Sequence, residues 1–194
     1  LSLARAERGG RTLRGITRAR TPVNLNLVVG IDRTGSSEPF RQGISTLLAA
    51  VLDDGATRLA GLKVTLATHG DLDDGQQLVL MADRKTPEEA VEAARSIRYG
   101  GGGDPAETHL DAVEELLATI PWTSGGIGAR DALLLITTAE SKLPRSGRSP
   151  RAIGEALKAR GILLFLVSEL TPRLFELVQG ASGVAIPISN APTP

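Results

Sequence analysis

Leu25-Asn26-Leu27-Val28-Val29-Gly30-Ile31-Asp32-Arg33-Thr34-Gly35-Ser36 reads as a buried strand that ends in a carboxylate and two hydroxyls. Its apolar residues run on rather than alternate, the pattern of a strand covered on both faces in a parallel sheet. Asp32, Thr34 and Ser36 then emerge together on one turn. Hard oxygen donors in that arrangement suit magnesium, which keeps several waters and needs only one or two carboxylates. Asp-x-Ser/Thr-x-Ser arises by chance on the order of one time in ten in a chain of this length, so the surrounding pattern decides its meaning.

Working outward, the strand covers Val23 to Ile31. A helix opens at Glu38-Pro39, carries Phe40, Ile44, Leu47, Leu48 and Val51 at helical spacing, and is expected to stop at Asp53-Asp54-Gly55. Lys63 to Thr68 and Gln77 to Met81 flank the polar turn His69 to Gly75 as a hairpin. Thr86-Pro87-Glu88-Glu89 caps a helix reaching about Ile97, Gly100 to Gly103 breaks it, and a further helix is expected from Pro105 to Ile120 with Asp104 as its cap. A turn-rich stretch covers Pro121 to Gly128. Then come a strand (Ala132 to Thr137), a helix (Ser149 to Arg160), a strand (Ile162 to Val167), a helix (Pro172 to Gln179) and a last strand (Val184 to Ile188). This alternation predicts an α/β fold: a doubly wound, mostly parallel central sheet with helices on both faces and one antiparallel edge strand. Ligands of such sheets sit outside the carboxyl ends of the strands, where Asp32 to Ser37, Gly100 to Thr108 and Thr137 to Ser141 are expected to converge.

With 194 residues, 41% of them apolar, the chain can bury a sizeable core. It has no cysteine, which excludes a disulfide framework, a zinc-thiolate site and thiol catalysis. No apolar run reaches membrane-spanning length, and Leu1 to Gly15 is arginine-rich with no apolar signal segment, so a cytoplasmic location is expected. The first residue is not Met. Net charge is zero, yet Arg5, Arg8, Arg11, Arg14, Arg18 and Arg20 face a single Glu7 in the first twenty residues. Residues 1–22 are therefore read as a basic N-terminal arm, residues 23–190 as the domain and 191–194 as a tail. The arm is expected to be solvated, with nucleic-acid contact the sharper alternative; three Phe, one Trp and one Tyr offer no stacking platform.

Asp32-x-Thr34-x-Ser36, the loop Gly101-Gly102-Gly103-Asp104-Pro105-Ala106-Glu107, and Leu134-Leu135-Ile136-Thr137-Thr138-Ala139-Glu140 together resemble a von Willebrand factor type A (VWA) domain over roughly Val23 to Asn190. The glycine-rich loop is similar to that of a bacterial subgroup. The resemblance implies a metal-ion-dependent adhesion site (MIDAS) that takes magnesium or manganese and grips a partner's carboxylate, with Asp32, Thr34 and Ser36 as first-loop ligands. The chain departs from the family at two places. Asp104 stands where many members supply a Thr, and Thr138 where most supply an Asp, so the acid moves from the third loop to the second. Thr108 and Glu140 are alternative donors.

Other constellations fail on detail. Asp32, His69 and several serines lack a nucleophile elbow, so no hydrolase triad is read. His69 is expected at a strand end facing the hairpin turn and His109 on a solvated helical face. Two histidines forty positions apart argue against a transition-metal site. Thr34, two places after Asp32, is not the second carboxylate that an aspartyl-phosphate site needs, and no Lys-Ser/Thr follows the glycines. The basic loop Ser141 to Pro150 is expected to be merely exposed and mobile, with the functional alternative that Lys142, Arg145, Arg148 and Arg33 border the site and steer an acidic partner.

The resulting expectation is a non-enzymatic, metal-dependent protein-interaction module. Asp32, Thr34, Ser36 and Asp104 hold magnesium or manganese, Thr138 helps through water, and a partner Asp or Glu completes the sphere. The alternatives are a metal-free VWA fold serving as an assembly subunit and, last, a metal-assisted hydrolase.

Overall fold

The computed structural model describes residues 24–59, 61–123 and 129–188. In chain order these form β1 (Asn24–Asp32), α1 (Arg41–Arg58), β2 (Lys63–His69), β3 (Val79–Lys85), α2 (Pro87–Arg95), β4 (Ala106–Glu107), α3 (His109–Thr119), β5 (Ala129–Ile136), β6 (Glu140–Ser141), α4 (Pro150–Ala159), β7 (Ile162–Ser168), α5 (Pro172–Gly180) and β8 (Ser182–Pro187). The basic arm and the tail read from the sequence lie outside the described residues.

Six strands make one sheet in the order β3-β2-β1-β5-β7-β8. All neighbours are parallel except β3, which runs antiparallel at the edge beside β2. The continuous apolar runs of β1 and β5 arise because both faces are covered. Leu27, Val29, Ile31, Leu134 and Ile136 pack with Ile44, Leu48 and Leu52 of α1 and with Ala90 and Ala94 of α2. Val28, Leu133 and Leu135 pack on the other side with α3, α4 and α5. Leu48 and Leu133 are fully buried, so truncating either to Ala costs about 2–5 kcal/mol. Towards β7 and β8 the first face is less covered: Leu163, Phe165, Val184 and Ile186 stay exposed, while Leu164 and Leu166 are buried against α4 and α5.

Local chemistry explains most element ends. Thr86 caps α2 in a reciprocal box with Glu89, with Pro87 in the first turn. Ser149 caps α4 through the Ala152 amide. Two expectations are corrected. Asp53-Asp54-Gly55 does not end α1, which continues to Arg58 and closes with the Leu59 amide on the Gly55 carbonyl; one interior Gly costs only about 1 kcal/mol, less than the packing of the helix returns. The helix expected from Pro105 starts instead at His109. Ala106 and Glu107 are extended and pair in parallel with Glu140 and Ser141, so Asp104 caps no helix.

Candidate metal centre

Parallel register places the site. Asp32 at the end of β1 lies opposite His69 of β2, and Ile31 lies opposite Ile136 of β5, so Thr137 follows beside Asp32. Three adjacent strand ends thus line up His69, Asp32 and Thr137. The glycine-rich loop docks on the first loop through backbone bonds: the Gly100 amide donates to the Arg33 carbonyl at 3.0 Å, and the Gly35 amide to the Gly101 carbonyl at 2.9 Å.

Asp32 is fully buried. Its Oδ1 accepts from the Thr34 amide at 2.8 Å and the Thr34 hydroxyl at 2.7 Å, and its Oδ2 from the Ser37 hydroxyl at 2.8 Å. Two further hydroxyls join. Ser36 Oγ lies 3.0 Å from Thr34 Oγ1, and Thr138 Oγ1 lies 2.8 Å from Ser37 Oγ and 3.2 Å from Ser36 Oγ. Because Thr34 and Ser37 have given their protons to Asp32, Ser36 and Thr138 donate inward in their turn. All the protons run towards the carboxylate, and oxygen lone pairs are left at the outer rim, where Ser36 is exposed and Thr138 half-buried. One carboxylate and four hydroxyls are a hard donor set. Adjacent ligands of an octahedral magnesium ion with bonds of about 2.1 Å stand about 3 Å apart, which the 3.0 Å separation of Thr34 Oγ1 and Ser36 Oγ matches. The residues present fit such an ion.

Burial pushes the Asp32 carboxyl up, but His109, His69 and the Thr34 donors outweigh it and hold the carboxyl below its ordinary range. Both histidines are buried, correcting the expectation of a turn-facing His69 and a solvated His109. His69 Nε2 lies 3.0 Å from His109 Nδ1. His109 Nε2 lies 2.5 Å from Thr137 Oγ1, which donates to Asp32 Oδ2 at 3.5 Å. Burial lowers both imidazole pKa values, and in His69 the neighbouring His109 adds to the effect. Neutral rings satisfy the row when His69 Nε2–H donates to His109 and His109 Nε2–H donates to Thr137. His69 Nδ1 is then a buried acceptor without a partner among the described residues. Asp32, His69 and His109 each bring one ligand atom within 4.8 Å of the others. Forty positions of sequence did not keep the histidines apart, because strand register brings one to the sheet edge and α3 starts directly above it.

Asp104 is placed elsewhere. Its carboxylate sits 3.1 Å from Lys142 Nζ, which also donates to Asp71 at 2.8 Å and Asp73 at 2.6 Å. Those carboxylates, Asp71 first, raise the Lys142 pKa. Arg145 pairs with Asp73, Arg148 with Glu114 and Arg173 with Glu140. The alternative of steering by Lys142, Arg145 and Arg148 loses ground, because their charge is paired with acids of the same chain. Thr108 is taken up by the Gly70 carbonyl and the Leu72 amide, and Glu140 by Arg173. The structure therefore gathers Asp32, Thr34, Ser36 and Thr138, and sets Asp104 in a neighbouring acidic cluster. Ser37, Thr137, Glu107 and the histidine pair were not read as site residues. Ser37 and Thr137 each adjoin a residue that was, on turns where neighbouring hydroxyls face the same carboxylate.

The chain has a VWA-like fold. In sequence it matches no family model and no curated protein. In structure it is similar to proximal thread matrix protein 1 from the mussel byssus, described with a zinc-occupied MIDAS motif, at a TM-score of 0.63 and 13% identity over 86% of this chain and 42% of that one. A second crystal form of the mussel protein gives 0.62 and 14%. The SpRpn10 VWA domain matches at 0.60 and 11% identity over 87% of this chain and 90% of that one. The chain thus spans less than half of the mussel protein. At these identities the likeness shows the fold alone.

Proposed function

We propose that this chain is a non-enzymatic, metal-dependent protein-interaction module. Asp32, Thr34 and Ser36 hold magnesium or manganese, Thr138 supports the ion through water, and a partner Asp or Glu completes the coordination. The observation that carries this reading is the inward run of hydroxyl protons onto Asp32, which presents the oxygen lone pairs of Ser36 and Thr138 at the open rim. Asp104 is left out of the ligand set, since its carboxylate is engaged by Lys142. With a single carboxylate near it, the cation keeps more of its charge for an incoming acid than it would with two. The zinc-occupied motif of the mussel protein, on the same fold, lends support.

Such a module works by completion of a coordination sphere, so binding needs the ion, the hydroxyl row and the partner's carboxylate together. Panning a random peptide library against the full chain in magnesium tests this. Clones released by a chelator and enriched in Asp or Glu are expected, with no enrichment on Asp32→Ala. Retention that survives the chelator would contradict the reading and favour a metal-free assembly role.

A further inference from the structure

Of the bases Arg33, Lys142, Arg145 and Arg148, only Arg33 keeps an unmatched charge. Lys142 holds Asp71, Asp73 and Asp104, Arg145 holds Asp73, and Arg148 holds Glu114. The Arg33 guanidinium has no ion pair or hydrogen bond among the described residues, and its Nε is buried without an acceptor. Acids of the neighbouring loop do not serve it: Asp71 and Asp73 are taken by Lys142, and the Asp74 carboxylate accepts from the Gly102 and Gly103 amides at 2.8 and 3.0 Å. Nor can the residue swing away as a whole. It stands inside the cation loop, between Asp32 and Thr34, with its amide on the His69 carbonyl at 2.8 Å and its carbonyl on the Gly100 amide at 3.0 Å. Arg33 is half-buried. A polar donor withdrawn from water without an acceptor is costly. An imidazole or a carboxyl in that position escapes by changing its protonation, but a guanidinium keeps its charge. What relieves it is an anion from outside.

We propose that Arg33 is a second anchor for the partner: the segment whose Asp or Glu completes the coordination sphere carries another acid beside it, and that second carboxylate pairs with the Arg33 guanidinium. The inference rests on the metal-dependent reading of the same loop and adds the composition of the partner to it. An Arg and a carboxylate meet as two parallel N–H···O bonds, a geometry that a diffuse positive field does not reproduce. Arg33 is flanked in the chain by Asp32 and Thr34, both assigned to the ion, so two neighbouring acids of one peptide have two neighbouring positive centres to meet. The ion supplies affinity for any acid. Arg33 supplies the preference for a pair.

Three labelled peptides test this by fluorescence anisotropy with the full chain in saturating magnesium: Gly-Ser-Glu-Glu-Ser-Gly and the two versions in which one Glu is replaced by Gln. Wild type is expected to bind the two-acid peptide at least about tenfold more tightly than either single-acid peptide, the worth of one charge-assisted pair. Arg33→Gln is expected to bind all three alike, at the single-acid level. Arg33→Lys keeps the charge but not the fork, and is expected to retain only part of the preference. Arg148→Gln removes the same charge away from the cation loop and is expected to keep the preference in full. Equal binding of the three peptides by wild type, or no binding of any, overturns the proposal. So does a preference that survives in Arg33→Gln, or one that Arg148→Gln reduces as much as Arg33→Gln does, which would assign it to net charge. If calorimetry shows no magnesium binding while the two-acid peptide is held through Arg33, the metal reading falls and this one stands; if magnesium binds and the peptides are not told apart, this one falls alone.

Discussion

Asp32 is held by three donors from its own loop, so its removal does more than delete a ligand. The Thr34 and Ser37 hydroxyls lose their acceptor in a buried place, and Asp32→Ala is expected to cost about 1–3 kcal/mol in denaturant unfolding. The buried titratable groups give a second residue-scale expectation. His69 and His109 have folded pKa values below the ordinary 6.5, so the unfolded chain binds their protons first as pH falls. Their stabilisation is complete above about pH 6.5 and is lost below it, by up to about 1.4 kcal/mol per pH unit for each. Glu107 opposes them: between 4.5 and about 7 the folded carboxyl keeps a proton that the unfolded one has lost, so its contribution fades as pH rises. From pH 6 to 5 His69, with His109 acting in the same direction, works against one carboxyl. Unfolding free energy measured in a chelator should fall more steeply in Glu107→Gln than in wild type, by roughly 1.4 kcal/mol more per unit, and less steeply in His69→Gln than in wild type. Equal slopes in all three would show that these groups do not titrate as described.

At the scale of elements, α4 and α5 touch backbone to backbone. A Cβ at Gly154 would stand 2.2 Å from the Leu177 carbonyl oxygen, and one at Gly180 would stand 2.2 Å from that of Arg151. Gly154→Ala must push the helices apart and is expected to lower stability by about 1–3 kcal/mol, seen as a lower unfolding midpoint at unchanged cooperativity. In the sequence these glycines look like ordinary helix weaknesses, because their reason is a neighbour far along the chain. The elements themselves were largely legible. Unbroken apolar runs marked β1 and β5, the hairpin marked β2 and β3, and Thr86 and Ser149 marked helix starts, all of them local signals. What failed was non-local: Gly55 is overridden by the packing of α1, and Pro105 to Glu107 is drawn into a short strand by residues 140–141. In the site, Asp32, Thr34, Ser36 and Thr138 could be read from loop pattern and resemblance. Asp104 was misplaced because loop composition does not say which cation its carboxylate will meet. His69 joined the site through a register that only the assembled sheet reveals.

Taken as a whole, the molecule concentrates its buried polar groups at the carboxyl edge of β2, β1 and β5, with an apolar layer on either face to keep them in place. No helix among the described residues is long and apolar enough to cross a membrane. Three loops converge on one carboxylate with its hydroxyls, and an acid cluster closed by Lys142 lies next to it. The partner-facing chemistry therefore depends on whether that edge binds a cation at Asp32. Calorimetric titration of the full chain with magnesium, repeated on Asp32→Ala and Ser36→Ala, addresses this directly. Saturable binding of one ion is expected in wild type, absent in Asp32→Ala and weakened about tenfold or more in Ser36→Ala. No heat in wild type, or equal binding by wild type and Asp32→Ala, would contradict a metal-dependent site at the end of β1.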